Sequence, residues 1–221
     1  MNENYIVHSA DIQIRNTSRY HEFKTVLGNT IETVQKLQPL CFVIAGDFFH
    51  SRLVLSPESV SLGRWFLKKL SQFTKVVIIP GNHDININAK NRLDGISFLV
   101  DDLNSDKIFY YKKNGIYDFD NKIKFGVFSM LDEPETYPIK FQREEGYTYI
   151  ALYHGTIAGS KTELGRIMTD GDSVNMFENY DIAMLGDIHC LQTVGEKFEV
   201  KEIEEEDLSK FLADGWEIVS E

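Results

Sequence analysis

The chain has few of the residues that hold small secreted proteins together. It contains two cysteines among 221 residues, Cys41 and Cys190, which excludes a disulfide framework and a cysteine-rich zinc site. No apolar run approaches the ~20 residues that a membrane-spanning helix requires. The first residues, MNENYIVHSA, lack the basic start and long apolar core of a signal peptide. These features predict a cytoplasmic, intracellular protein that does not enter a membrane.

Positive charge is also scarce, because 23 Lys and Arg face 34 Asp and Glu, for a formal net charge of −11. Residues 196–221 contain ten acidic residues and three lysines, so they account for −7 of that charge. This balance excludes a protein that binds nucleic acid through a global positive field. A nucleic-acid partner would have to meet a local basic patch on the mildly acidic body, residues 1–195.

The apolar and aromatic content, 43% and 12%, is sufficient for a packed core. The length predicts one domain with a small appendage. We place the domain at residues 1–195 and treat residues 196–221 as a short acidic tail of unassigned role. The pattern of that tail predicts a strand, an acidic helix over 204–213, a glycine turn and a strand.

The first 80 residues alternate between two periodicities. Short apolar runs at 5–10, 40–45 and 75–79 predict strands, and the apolar spacing over 20–37 and 57–72 predicts helices. Such an alternation predicts parallel strands joined by right-handed crossovers.

Beyond that point the pattern changes. A further helix is predicted over 94–103, and it is followed by short, aromatic-rich runs without long helices between them. These runs predict strands at 107–111, 116–119, 124–130, 147–153 and 181–185. Two-layer packing then predicts a second sheet facing the first, with helices outside.

Polar strings follow five of the strand-like runs. They are Asp11, Gly46-Asp47-Phe48-Phe49-His50, Gly81-Asn82-His83-Asp84, His154-Gly155 and Gly186-Asp187-Ile188-His189. Polar residues at the carboxyl ends of neighbouring buried strands meet at one edge of an α/β sheet. Four of the six histidines fall in these strings. This concentration of metal-ligating and proton-carrying side chains predicts two-metal hydrolysis of phosphoesters.

The strings also predict how two metal ions would be held. We expect the Asp47 carboxylate to bridge two cations, which two-metal hydrolases hold ~3.5–4 Å apart. The first ion would also bind Asp11 and His189. The second would bind Asn82, through its amide oxygen, together with His154 and Asp187. Such a pair of ions activates a water molecule and neutralises the charge that builds on the phosphate oxygens.

His83 directly follows the predicted ligand Asn82, so we expect it to point to the substrate instead of the same metal ion. An imidazole there is suited to protonating the leaving alkoxide. Asp84 is predicted to fix the His83 tautomer through a hydrogen bond.

Taken together, the five strings resemble those of the calcineurin-like metallophosphoesterases, over residues 5 to 190. Within that superfamily, GDFFHSR is similar to the motif of DNA double-strand-break repair nucleases and of phage recombination endonuclease subunits. The resemblance implies an α/β four-layer sandwich of two facing mixed sheets flanked by helices. It also implies Mn²⁺ as the usual activator and exonuclease plus endonuclease activity on DNA. His50 would lie beside the substrate and assist cleavage.

Two positions depart from the family pattern. Gln13 stands where the first motif has a metal-binding histidine, and Asp187 stands where the last motif has one. Gln13 would then be a neutral, weaker ligand of the first ion. Both changes replace nitrogen by oxygen, which favours Mn²⁺ or Mg²⁺ over Zn²⁺. They also leave open a weakly active binding subunit.

The resemblance implies further partners. Family members dock on an SMC-like coiled-coil ATPase and carry a capping domain, which residues 196–221 do not resemble, so the chain is expected to be truncated, split or joined to an unrelated segment. A homodimer remains open. Cations on the loops near the predicted site suit the phosphates of DNA; they are Arg15, Arg19, His21, Arg52, Lys90 and Arg92. The alternative substrate is a small phosphodiester or a phosphoprotein.

Overall fold

The computed structural model describes most of the region that carries the five strings. The described residues are 2–15, 19–51, 54–90, 92–120, 122–162, 164–188, 193–194 and 198–199. The predicted ligand His189, the loop cation Arg52 and the predicted acidic helix over 204–213 lie outside the described residues.

A four-stranded parallel sheet forms the first half of the fold. Its strands lie in chain order and are β1 (Asn2–Ser9), β2 (Pro39–Ala45), β3 (Lys75–Ile79) and β4 (Ile108–Tyr110). β2 is buried along its whole length, as a continuous apolar run between two covered faces should be. The predicted β-α-β-α-β start of the chain is confirmed.

Three helices cover the outer face of this sheet: α1 (Tyr20–Leu37), α2 (Pro57–Phe73) and α3 (Gly95–Leu103). The sequence sets the start of two of them. Ser56 accepts a hydrogen bond from the Ser59 N–H at the start of α2, and Asp94 accepts one from the Ser97 N–H at the start of α3. Capping side chains of this kind satisfy N–H groups that have no partner within the helix.

β4 corrects one expectation. The run at 107–111 was grouped with the aromatic-rich strands of the second sheet, but Ile108 pairs with Val76 in the first sheet. The reason is that α3 forms another crossover, which returns the chain to the edge of the parallel sheet. The change of pattern in the sequence therefore falls one strand later.

The second sheet is mixed and contains β5 (Gly115–Asp118), β6 (Ile123–Phe128), β7 (Thr148–His154) and β8 (Ile182–Gly186). β5 runs antiparallel to β6, whereas β6, β7 and β8 are parallel. An apolar layer that includes Val43, Val77, Phe125 and Leu152 fills the space between the sheets. The predicted α/β fold with two facing sheets flanked by helices is confirmed.

The outer face of the second sheet carries an aromatic cluster that includes Phe128, Tyr149 and Phe177. In the described part of the chain, this face is covered by loops and by short 3-10 helices at Pro134–Thr136 and Val174–Phe177. A separate antiparallel pair joins β9 (Thr193–Val194) to β10 (Phe198–Glu199). Among the described residues, no helix has both the length and the apolar character needed to cross a bilayer.

Candidate metal centre

The first two polar strings run side by side because the backbone pairs them. The N–H of Asp11 donates to the carbonyl of Gly46 at 3.1 Å, and that of Gln13 donates to the carbonyl of Asp47 at 2.8 Å. On the other side, the N–H of Asp187 donates to the Asp11 carboxylate at 3.0 Å. The ends of β1, β2 and β8 are thereby drawn to one point.

The backbone of this edge is unusual. Asp11, Gln13, Asp47 and Asp187 are four of the seven non-glycine residues with positive φ in the described part of the chain, with φ between 48° and 70°. The left-handed region costs an L-residue roughly 1 kcal/mol or more, and such residues cluster at functional sites. All four were predicted ligands from the sequence.

Three predicted ligands form a compact group. One ligand atom from each of Asp11, Asp47 and His154 lies within 4.8 Å of the other two. Asp47 is 1% exposed and His154 is 2% exposed. Burying carboxylates together is costly unless opposite charge is also present, and a cation or a protonated imidazole supplies that charge.

His154 is oriented for coordination through one nitrogen. Its Nδ1 donates to the carbonyl of Ala45 at 2.8 Å, and its Nε2 lies 3.4 Å from Oδ1 of Asp47. Burial lowers the pKa of His154, but the hydrogen bond and charge of Asp47, together with the charge of Asp11, outweigh burial and raise the pKa to about 9. Without a metal ion, His154 therefore carries the positive charge that balances Asp47.

The pKa of the Asp47 carboxylate is shifted in the opposite direction to that of His154. Burial favours its neutral form, but the hydrogen bond and charge of His154 and the N–H of His83 lower its pKa overall. The His83 N–H donates to Oδ1 at 2.8 Å. Asp47 is thus an anion at neutral pH, which is the state that a bridging ligand requires.

Asn82 completes one side of the centre. Its Oδ1 lies 3.2 Å from Nε2 of His154. If the amide is turned over, its nitrogen reaches the two oxygens of Asp47 at 3.2 and 3.3 Å. The amide therefore lies against both Asp47 and His154, the two residues with which it was predicted to share an ion.

Two glycines make room for this arrangement. A Cβ atom at Gly81 would overlap Oδ1 and the backbone nitrogen of Asp47, and one at Gly46, whose φ is +91°, would overlap the His154 ring. The close approach thus requires glycine at both positions. The donor set, its burial and this crowding fit a divalent cation bound through oxygen atoms and one imidazole.

Asp187 lies beside the group and has other contacts as well. Its Oδ2 accepts a hydrogen bond from Oγ1 of Thr156 at 3.2 Å, while its backbone contacts Asp11. Coordination of the second ion by Asp187 stays a prediction, as does coordination of the first ion by His189. Sequence reasoning missed Thr156, although a hydroxyl two residues after a predicted histidine ligand was a usable signal.

The two histidines predicted to act on the substrate lie together. The rings of His50 and His83 are stacked, with centroids 5.4 Å apart and planes at 23°. Nδ1 of His83 donates to the His50 carbonyl at 2.6 Å, and its Nε2 is 4.0 Å from Oδ2 of Asp47. Partial burial, then the charges of Arg15 and His83, lower the pKa of His50.

Asp84 has different partners from the one expected. Its carboxylate accepts hydrogen bonds from the N–H groups of Phe48, Phe49 and Gly81 at 3.2, 2.8 and 2.9 Å, whereas the His83 ring bonds the His50 carbonyl. The predicted hydrogen bond to His83 is therefore wrong. Burial raises the pKa of Asp84 to about 7, against the lowering effect of these donors. Asp84 joins the turn after β3 to the loop after β2.

Some of the loop cations form ion pairs with nearby carboxylates. Arg19 pairs with Glu22, and Lys90 pairs with Glu133 at 2.9 Å. Arg15 is exposed and lies close enough to lower the pKa of His50. Arg92 is also exposed. Among the loop cations that the structure describes, Arg15 is therefore the one connected most directly to the site.

Comparison with known proteins assigns this fold and site to a family. The sequence model of the calcineurin-like phosphoesterases matches residues 5–191, so the chain belongs to this family of divalent-metal hydrolases. The uncharacterized protein R555 of Acanthamoeba polyphaga mimivirus is 35% identical in an alignment of 204 positions that covers 87% of this chain and 15% of that protein. The chain thus spans a small part of that relative.

A solved structure also aligns with the chain. The crystal structure of the Pseudomonas putida nuclease MPE covers 90% of this chain and 80% of its own, with 16% identity and a TM-score of 0.38. A likeness of that degree bears on neither activity nor substrate.

Proposed function

We propose that this chain is a divalent-metal-dependent phosphodiesterase that cleaves DNA, as an exonuclease and endonuclease of double-strand-break repair or recombination. One observation carries the proposal. Ligand atoms of Asp11, the buried Asp47 and His154 lie within 4.8 Å of one another, and Nε2 of His83, which stacks on His50, lies 4.0 Å from Asp47. Ligands and proton-carrying groups are therefore within reach of one phosphate.

Asp47 would be shared by two cations, with Asp11 on one side and Asn82 and His154 on the other. When bound, the cations would neutralise the phosphate oxygens and lower the pKa of a water molecule. The donors are mostly oxygen atoms, which favours Mn²⁺ or Mg²⁺ over Zn²⁺.

His83 would serve as the acid for the leaving group. The His50 carbonyl accepts a hydrogen bond from its Nδ1, so Nε2 is the nitrogen that remains for the substrate. A protonated Nε2 can donate to the departing alkoxide. His83 is about two-fifths exposed at its side chain, so an incoming substrate can reach it.

The choice of DNA rests on the similarity of GDFFHSR to repair nucleases and on exposed cations near the site. Arg15 is exposed and its charge acts on His50, so it is near enough to the site to contact a substrate phosphate. Docking on an SMC-like ATPase, homodimerisation and a cytoplasmic location remain predictions.

A cleavage assay with controls tests the proposal. Purified chain and Mn²⁺ are incubated with end-labelled single- and double-stranded DNA and, separately, with a small aryl phosphodiester. Wild type and Asp101→Asn, which changes an exposed carboxylate on α3, should cleave DNA, and Asp47→Asn should not. Cleavage of the small diester alone would favour the alternative substrate class. Equal activity of Asp47→Asn and wild type, or highest activity with Zn²⁺, would contradict the proposed centre.

A further inference from the structure

Gln13 makes a side-chain contact that its predicted role as a metal ligand does not require. Its Oε1 lies 3.1 Å from Nδ1 of His50, a normal hydrogen-bond distance. Both residues are partly buried, so this contact is less exposed to competition from water than a surface pair.

The backbone builds the contact into the fold. Ile14 bridges Phe49 in a parallel pairing, and the N–H of His50 donates to the carbonyl of Ile14 at 3.2 Å. In the same pair of segments, the N–H of Gln13 donates to the carbonyl of Asp47 at 2.8 Å. Because the two segments are paired on both sides of the contact, the amide and the imidazole are brought together without a long flexible connection.

The chemistry of the two groups fixes the proton. In this orientation of the Gln13 amide its oxygen faces Nδ1, and because an amide oxygen only accepts hydrogen bonds, this pairing calls for Nδ1 as the donor. In neutral His50 the lone pair is then on Nε2, at the opposite edge of the ring. His83 has the same arrangement, because its Nδ1 donates to the His50 carbonyl. Both stacked rings therefore keep Nε2 for the substrate.

We infer that Gln13 is a positioning residue, which holds His50 in the Nδ1–H tautomer with Nε2 directed to the substrate, and that it is not a metal ligand. This inference rests on the proposed function for its catalytic meaning. The tautomer itself is a property of the metal-free chain. Gln13 would thus orient the neighbouring histidine instead of binding an ion.

Two measurements test the inference without relying on activity. Long-range ¹H–¹⁵N correlation NMR of the metal-free chain reports which nitrogen of His50 carries the proton, and calorimetry reports the Mn²⁺ affinity. Wild type should show the Nδ1–H form. Gln13→Leu should lose that form and retain the wild-type Mn²⁺ affinity, and Gln13→Glu, which keeps an acceptor, should retain the tautomer. Gln35→Leu, at an exposed position on α1, is the matched control.

Three results would overturn the inference. A His50 protonated on Nε2 in wild type, or an unchanged tautomer in Gln13→Leu, would show that Gln13 does not hold the ring. Weaker Mn²⁺ binding by Gln13→Leu than by Gln35→Leu would assign Gln13 to the metal. Absence of DNA cleavage by wild type would contradict the proposed function and would leave these two readouts intact.

Discussion

The backbone N–H of Asp187 donates to the carboxylate of Asp11 at 3.0 Å, across 176 positions of the chain. This hydrogen bond joins the loop after the last strand of one sheet to the loop after the first strand of the other. The two sheets therefore share one polar edge, and Asp11 is held in place by the half of the fold that carries His154.

A substitution at His83 should affect turnover without affecting metal binding. His83→Gln keeps the size and polarity of the side chain but removes the proton donor, so the cleavage rate should fall by about 10²- to 10⁴-fold. The Mn²⁺ affinity should not change, because the His83 ring is not part of the Asp11–Asp47–His154 group. Parallel cleavage and calorimetric assays check both values. An equal loss of metal in His83→Gln and Asp47→Asn would contradict the assigned roles.

Metal binding should release a proton from His154. In the metal-free chain the pKa of His154 is raised to about 9, so the imidazole is charged at neutral pH and must lose its proton before Nε2 can bind an ion. The apparent Mn²⁺ affinity should rise by about tenfold per pH unit below that pKa. Calorimetry in buffers of different ionisation enthalpy counts the released proton. An affinity that is independent of pH around neutrality would contradict this account.

Gly81 should tolerate no side chain. A methyl group at this position would overlap the carboxylate and backbone nitrogen of Asp47, and overpacking of this kind costs about 1–3 kcal/mol. Gly81→Ala should therefore lower both the free energy of unfolding and the Mn²⁺ affinity. Gly28→Ala is the control, since it adds a methyl group in open space on α1 and should stabilise the chain by up to about 1 kcal/mol. Urea unfolding and metal titration that show Gly81→Ala unchanged would refute the crowding argument.

His8 should make the chain less stable in weak acid. It is 6% exposed, its Nε2 has no hydrogen-bond partner in the described structure, and burial lowers its pKa to about 4. The unfolded chain, with an ordinary pKa near 6.5, then binds the proton more tightly than the folded chain. The stability that neutral His8 contributes is fully present above the pKa that His8 has in the unfolded chain, and it is lost as the pH falls towards about 4.

Denaturant unfolding at two pH values measures this effect. When the pH is lowered from 7 to 5, the free energy of unfolding should fall by about 2 kcal/mol less for His8→Leu than for wild type. His21→Gln changes an exposed histidine and should follow wild type. Parallel pH dependence in His8→Leu and wild type would exclude this role for His8.

The sequence was sufficient to predict the strands and the edge at which the polar strings meet. Each depends on local features, namely a continuous apolar run such as 40–45 and the polar residue that follows it. Because parallel strands end at one edge, Asp11, Asp47 and His154 could be expected to meet before their distances were known.

Side-chain partners were harder to predict because they depend on neighbours that are distant in the chain. Asp84 was assigned to His83, its neighbour in sequence, but it bonds the N–H groups of Phe48 and Phe49, about 35 positions away. The contact of Gln13 with His50 has the same origin. Membership of β4 in the first sheet also depends on a crossover that short aromatic runs do not reveal.

In the proposed centre, the Asp47 carboxylate holds a pair of cations. Electron paramagnetic resonance during Mn²⁺ titration tests it most directly, because two Mn²⁺ ions about 3.5–4 Å apart couple magnetically and give a signal unlike that of single ions. Wild type and Asp101→Asn should show the coupled signal at saturation, and Asp47→Asn should not. Saturation of wild type with only isolated ions, or an unchanged coupled signal in Asp47→Asn, would contradict the account.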